Sequence, residues 1–513
     1  MKKYLYTIVI LFFTLNIHLY AQEQNLAKIG NIELSAKEFK HRFEFTPKVK
    51  SDFDSTKVNF LYSIIAEKLW ALEAESLSMD TIPYVYNSVK NIEKKLVKDK
   101  LYKIEVESKV IITESEITEN LFKISEKRTM NFLFSKDKNE IEQLYNKLVS
   151  GVSFNSLIIG RMEQNQQVNG IPVVFGQMDE KLENIVYLLK LHKFTKPVPL
   201  NVGWVIYYLK SIEVVPLEDR NDEKANRKIV EDILFARKAK VFYDEFFNKY
   251  IKGNTVYADK QLSHLLENTI FDRYHEEYES LYNENTKQYQ FDQYKIKTIR
   301  EMFTEEELSR DFIKFEISPV SLEKYLLNLE LNGFSSDKMS KYAIFTAIAK
   351  DVKSYIFEEL LIREGYSRGL QNSKEIKNEL ITWRESFLAS YYRHSFLDSI
   401  EADDNEAKDV YDKIVSESSD STTETFDDVK EKIKTGLFFK ELENLYIDKT
   451  VALAEKYGVS VDTELLNRIQ VTDIEMMVYR SLGFGGKITA VPYLQSFYTW
   501  KNWLPRSLKK RLP

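Results

Sequence analysis

The stretch AKIGNIELSAKEFKHRFEF, residues 27 to 45, reads as a short apolar strand, a turn at Gly30-Asn31 and a helix. The helix opens at Ser35 with Glu38 three positions on, the spacing of a capping box. The same order returns in IKFEISPVSLEKYLLNLE, residues 313 to 330, where the strand precedes Ser318-Pro319 and Ser321 with Lys324 begins the helix. Two such starts about 286 positions apart predict an internal repeat.

The comparison extends outward from these starts. EKLWALEAESLSMD from Glu67 and EELLIREGYSRGLQ from Glu358 both place apolar residues at helical spacing, then a break, then another long helix. TESEI (Thr113 to Ile117) answers to DDNEA (Asp403 to Ala407), each opening a helix through a Thr or Asp cap and an early acid. The late segments TVYADKQLSHLL from Thr255 and GVSVDTELLNRI from Gly458 also correspond. The expectation is a helical module present twice, with each copy closing on a late segment of its own.

What differs is an insert. Residues 126 to 215 run strand RTMNFLF, helix NEIEQLYNKLVSGVSFNSLI, turn-rich QNQQVNGIPVVFGQ, helix DEKLENIVYLLKL and strand VGWVIYYLKSIEV, a compact α+β domain. The corresponding place in the second copy holds only SESSDSTTETFDD, residues 416 to 428, a solvated loop. The fold class is therefore α+β and mostly helical. The expected divisions are a first helical core at 22–125, the insert at 126–215, and a helical segment closing the first core at 216–270. A helical connector at 271–312, a second core module at 313–470 and an aromatic, basic tail at 471–513 follow.

Composition narrows the chemistry. At 513 residues the chain exceeds what one hydrophobic core organises. The net charge of −6, with both signs interspersed, lacks the clustered basic face that nucleic acid would require. There are no cysteines, which excludes disulfides, thiolate metal sites and a cysteine nucleophile. The six histidines show no metal-ligand spacing, so neither a metal nor another cofactor is expected. Residues 1 to 21, with Lys2, Lys3, an apolar run from Leu5 to Leu15 and a small Ala21, read as a secretory signal peptide. Export to the periplasm or cell envelope is the expected location.

The C-terminal segment contains Gly483-Phe-Gly-Gly-Lys487, but Ser481 stands where a phosphate loop needs its first Gly and Ile488 follows the Lys. Beyond it Tyr493, Phe497, Tyr498, Trp500 and Trp503 mix with Lys501, Arg506, Lys509, Lys510 and Arg511. That mixture is a candidate contact with an anionic membrane surface or a partner, or an apolar tail folding back onto the second module. The 31 Tyr and 32 Phe also supply large, rigid contact area of the kind that holds polypeptide without sequence selectivity.

In order along the chain, VIITESEITENL, EIEQLYNKLVSGVSFNSL, FGQM and KFTKPVPLNVGWVIYYLKSIE resemble the parvulin-type prolyl isomerases of the bacterial envelope. The flanking helical segments resemble the chaperone core of SurA-like and PrsA-like foldases. The resemblance implies a pocket for an X-Pro dipeptide, lined by apolar side chains and backed by a polar cluster with two histidines. Uncatalysed X-Pro isomerisation takes tens to hundreds of seconds, and a catalyst need only favour the twisted amide over the planar one. Carried over residue by residue, the two histidine positions fall on Asn131 and Val205. Met178 of FGQM matches the apolar pocket, Gln177 precedes it, and Leu182 stands where the family has Phe. Substrate contacts are thus expected from Met178, Gln177, Leu182 and Asn131. The implied activity is that of an exported isomerase and chaperone for unfolded or proline-containing polypeptides. With both imidazoles replaced, the alternative is a non-catalytic chaperone or interaction protein with a degenerate parvulin domain.

Overall fold

The computed structural model describes residues 24–48, 53–159, 170–214, 223–401, 403–417, 424–472, 477–509 and 511–512. The stretch read as a signal peptide lies outside them. The described residues form two compact units, one from Met1–Tyr102 with Thr255–Pro513, the other from Lys103–Asn254. The architecture is α+β and mostly helical, with small antiparallel sheets.

In the first unit the repeat is a structural one. Strands Asn25–Ile29 and Ile32–Ser35 form a hairpin, and the Ser35 hydroxyl accepts the Glu38 N–H at 3.1 Å to start the helix Ala36–Phe45. Strands Asp311–Lys314 and Val320–Ser321 repeat this, with Ser321 accepting the Lys324 N–H at 3.2 Å ahead of the helix Leu322–Asn332.

The third strand of each sheet corrects the expectation that every copy closes on its own late segment. Val459–Val461 pairs with Asn25–Ile29, whereas Tyr257–Ala258 pairs with Asp311–Lys314. The segment 216–270 therefore does not close the first core; its end closes the second. Equivalent bonds fix both junctions: Asp462 N–H donates to Leu26 O at 2.8 Å, and Asp259 N–H to Phe312 O at 2.7 Å. Both Asp side chains then cap the helix that follows. Because closure entropy grows only logarithmically with loop length, the two ways of pairing differ by about 0.3 kcal/mol in that respect. Packing decides instead. Leu465 and Leu466 join Leu26, Phe39, Trp70 and Trp500 in one core, while Leu262, Leu266 and Ile270 join Phe312, Tyr325 and Ile344 in another.

Long helices complete this unit: Phe53–Ser76, Lys341–Ser367, Lys374–His394 and Phe426–Tyr457. Trp70 is fully buried and donates to Thr450 Oγ1 at 2.7 Å. The C-terminal segment is built into the same core. Trp500 is fully buried and donates to Tyr62 O at 3.3 Å, and the Phe497 N–H donates to Ser63 Oγ at 3.0 Å. Of the aromatics read as a contact surface, Phe497 and Trp500 are thus interior residues; Tyr493 and Trp503 stay exposed. Upstream, the hairpin Tyr479–Ser481 with Lys487–Thr489 carries the Gly-rich turn, and its Leu482 and Ile488 pack with Ile92, Leu96 and Trp383.

In the second unit the helices Glu114–Ile124 and Glu223–Phe246 pack together, and between them in sequence lies the α+β domain. Its antiparallel sheet has the spatial order Ile171–Val173, Glu126–Ser135, Gly203–Val214, Val198–Leu200. Gly203 opens the long strand at φ 151°, where a Cβ would lie 2.5 Å from Ser135 O, so only glycine fits ahead of Trp204. In the second copy the helices Asp404–Glu417 and Phe426–Tyr457 pack together with only a short connection between them. No helix among the described residues is long and apolar enough to cross a membrane.

Candidate functional site

The two strands that carry the carried-over positions are direct neighbours, and their register decides which side chains meet. Asn131 pairs with Tyr208, Leu133 with Ile206 and Ser135 with Trp204; Phe132 pairs with Tyr207 and Phe134 with Val205. Cross-strand partners share a face and successive residues alternate. Asn131 and Val205 therefore point to opposite faces of the sheet, and the structure does not bring them together.

Asn131 belongs to the face covered by the helices Lys138–Val149 and Phe154–Ile159, where Leu133 and Ile206 are buried against Ile141, Leu144 and Phe154. Beside it the Tyr208 ring stacks on Phe154 at 4.8 Å, and the Tyr208 hydroxyl lies 3.3 Å from His192 Nδ1. The Asn131 side chain is buried, and its Nδ2 has no hydrogen-bond partner among the described residues.

The opposite face carries Val205 and the apolar groups. Met130 and Leu209 are buried there with Phe175, Val186 and Tyr187, and Met178 and Tyr207 pack half-buried against the same core. Farther along, Phe132 is 46% exposed beside Tyr207. Burial pushes the Tyr207 phenol above its usual range, so it is a neutral hydroxyl at any physiological pH. Leu182 is half-buried and Gln177 is exposed. This strip offers apolar contact and one hydroxyl, and it places no imidazole or carboxylate where Val205 sits.

Residues that sequence reasoning missed set the FGQM loop. The Glu183 carboxylate, fully buried, accepts the Gly176 N–H at 2.7 Å and is held by the Arg237 guanidinium at 2.7 Å. Arg237 also lies 5.1 Å from the centre of the Phe175 ring, with Lys123 Nζ at 5.3 Å from the same ring. Burial first, then the Arg237 charge, lower the Lys123 pKa against the opposing pull of Glu183. Gly176 adopts φ 89°, and a Cβ there would press on Ile233 at 3.0 Å. The pocket loop is thus moulded on the helix Glu223–Phe246. In sequence, Glu183 reads only as an acid in the first turn of a helix capped by Asp179, and nothing local announces Arg237 as its partner.

No protein-family model matches the chain, and no curated protein does. Among solved structures, the peptidylprolyl isomerase PrsA from Bacillus cereus is similar at 16% identity, covering 47% of this chain and 96% of that one with a TM-score of 0.24. PrsA from Bacillus anthracis is similar at 18% identity over 38% of this chain and 99% of that one, with a TM-score of 0.23. A structure described with the SurA-like chaperones PEB4 and Cj1289 of Campylobacter jejuni is similar at 12% identity, covering 46% and 100%, with a TM-score of 0.19. With TM-scores this low, any functional reading of the chain has to come from its own residues.

Proposed function

We propose that the chain is an exported chaperone that holds unfolded polypeptide, and that its α+β domain serves as a binding face rather than a catalytic centre. The observation that carries this reading is the sheet register: Asn131 and Val205 lie on opposite faces, while Phe132, Tyr207 and Met178 leave an incompletely covered apolar strip on one of them. Half-exposed aromatics with few rotors, beside a flexible thioether, suit apolar segments of varied sequence. The N-terminal Lys2, Lys3 and apolar run support export to the envelope.

Prolyl isomerisation is the second reading. Met178 favours it, and so does the chemistry, since rotating an X-Pro bond transfers no proton and can be catalysed by packing alone. The test uses residues 22–513 on two assays: aggregation of an unfolded client, and cis-trans exchange of proline peptides by NMR beside an active parvulin. Delayed aggregation without exchange above background, weakened in Phe132→Ala, is the expected result. Exchange well above background that is lost in Met178→Ala makes the protein an isomerase; no effect on aggregation removes the chaperone reading.

A further inference from the structure

Within the first unit, a cleft of about 530 Å³ opens between the helix Pro83–Glu105 and the helices Leu322–Asn332 and Lys341–Ser367, with the Gly-rich hairpin also contributing to its lining. Its wall carries six lysines, at positions 90, 94, 95, 98, 324 and 487, against three acids, Glu330, Glu358 and Glu359. Every one of those acids is already engaged. Glu330 pairs with Arg300 at 2.5 Å, Glu358 with Lys98 at 2.8 Å and Glu359 with Arg363 at 3.0 Å. Lys90 is taken by Glu93 at 2.6 Å. Lys94, Lys95, Lys324 and Lys487 are left without an ion pair among the described residues, on a chain whose net charge is −6.

The crowding has a cost that a ligand would relieve. Burial is the largest influence and lowers the pKa of both Lys94 and Lys95; Glu359 and Glu358 oppose it next, and the smaller effects of Lys324 and Lys90 at Lys94, and of Lys98 at Lys95, add to the lowering. Along the same helix face, at spacings of three to four residues, stand Tyr84, Asn87 and Asn91, all lining the cleft. From Tyr84 to Lys98 the helix runs about 21 Å, the length of about six residues of extended chain. The stripe thus presents an exposed aromatic ring, then two amides, then unpaired ammonium groups, and Leu331 stands exposed on the other wall.

We propose that this cleft binds an acidic segment of extended polypeptide, with Lys94, Lys95, Lys324 and Lys487 taking its carboxylates. Asn87 and Asn91 bond its backbone amides, which need both a donor and an acceptor, and Tyr84 and Leu331 receive its apolar side chains. The inference rests on the reading that the chain holds polypeptide, and it narrows the substrate class. It also gives the Gly483–Lys487 turn a place: Gly486, at φ 100°, and Lys487 both line the same cleft.

The test is fluorescence anisotropy on residues 22–513 with a labelled decapeptide alternating Glu with Leu and Tyr, beside its Gln-for-Glu counterpart. The acidic peptide is expected to bind at least about tenfold more tightly, a preference that shrinks as salt rises. The double variant Lys94→Glu, Lys95→Glu abolishes that preference, and Lys324→Gln with Lys487→Gln, both on exposed side chains, reduces it without stress on the fold. Equal binding of the two peptides, or a preference untouched by either pair of substitutions, overturns the inference while leaving the holding of chains intact if aggregation is still delayed. Failure of both peptides to bind, with no delay of aggregation, overturns both readings together.

Discussion

Arg42 donates to Glu67 across 2.7 Å, with the two side chains 1% and 2% exposed. Burial, the largest single influence, would lower the Arg42 pKa, yet the charge and hydrogen bond of Glu67, joined by the charges of Glu38 and Glu385, together outweigh it and hold the guanidinium charged. Next to it Lys68 bonds to Glu385 at 2.6 Å, joining the helix Phe53–Ser76 to the helix Lys374–His394. Breaking one partner of such a pair leaves a charge stranded in the interior. Glu67→Gln is expected to lower stability by about 3–5 kcal/mol, whereas replacing Arg42 and Glu67 together by apolar residues recovers most of the loss. Urea unfolding of the two variants checks this.

The C-terminal aromatics divide into two kinds by burial. Trp500→Ala removes a fully buried side chain and is expected to cost about 3–5 kcal/mol, while Trp503→Ala, at a position 66% exposed, stays within about 0.5 kcal/mol of the parent. A thermal melt of each variant distinguishes an interior segment from a surface one.

Gly203 precedes Trp204 for a steric reason. Gly203→Ala would drive a methyl to 2.5 Å from Ser135 O and 2.9 Å from the Phe134 ring. The strand must shift or its pairing with Glu126–Ser135 must loosen, at a cost of about 1–3 kcal/mol. Faster amide exchange across residues 130–135 and 203–207 is the expected signature.

Acid should loosen the helix pair that flanks the α+β domain. The Glu116 carboxylate is held down to about 2, first by the Lys238 ammonium and then by the Thr113 backbone and hydroxyl. Its folded pKa is below the unfolded one, so its contribution is complete above the ordinary carboxylate value and is lost as pH falls from there toward 2. Hydrogen exchange in the helices Glu114–Ile124 and Glu223–Phe246 is expected to quicken over that window, and Glu116→Gln to flatten the dependence.

The parts of this fold that were legible in sequence are those written in local signals. Ser35 and Ser321 announce their helices by the side chain that caps them, and the register between the two copies holds at 286 positions from Leu26 and Phe312 to these caps. The exchange of closing strands was not legible, because Ala258-Asp259 and Val461-Asp462 carry the same message and either would fit either sheet by local rules. The site was half legible. Met178 packs against the core of Met130 and Leu209, but the face on which Asn131 falls depends on strand register, and a shift of one residue turns every side chain over. The ladder does slip once, between Thr129 and Met130, a bulge that no residue type announces. That slip lies outside Met130–Ser135, whose uninterrupted pairing with Trp204–Leu209 is what puts Phe132 rather than Asn131 on the face of Val205.

Because the copies exchange their last strands, the order in which the molecule can be finished differs from the order in which it is made. Strand Asn25–Ile29 waits about 430 positions for Val459–Val461, and Trp70 waits for Thr450, so the earliest segment delivered from a ribosome or translocon has no completed interior of its own. The second core closes within residues 257 to 355 and can mature first. A chain stopped at residue 400 should therefore resist protease in its middle and yield at its beginning, a protein whose own biogenesis leaves residues up to about 100 exposed until the segment from Thr450 to Trp500 arrives.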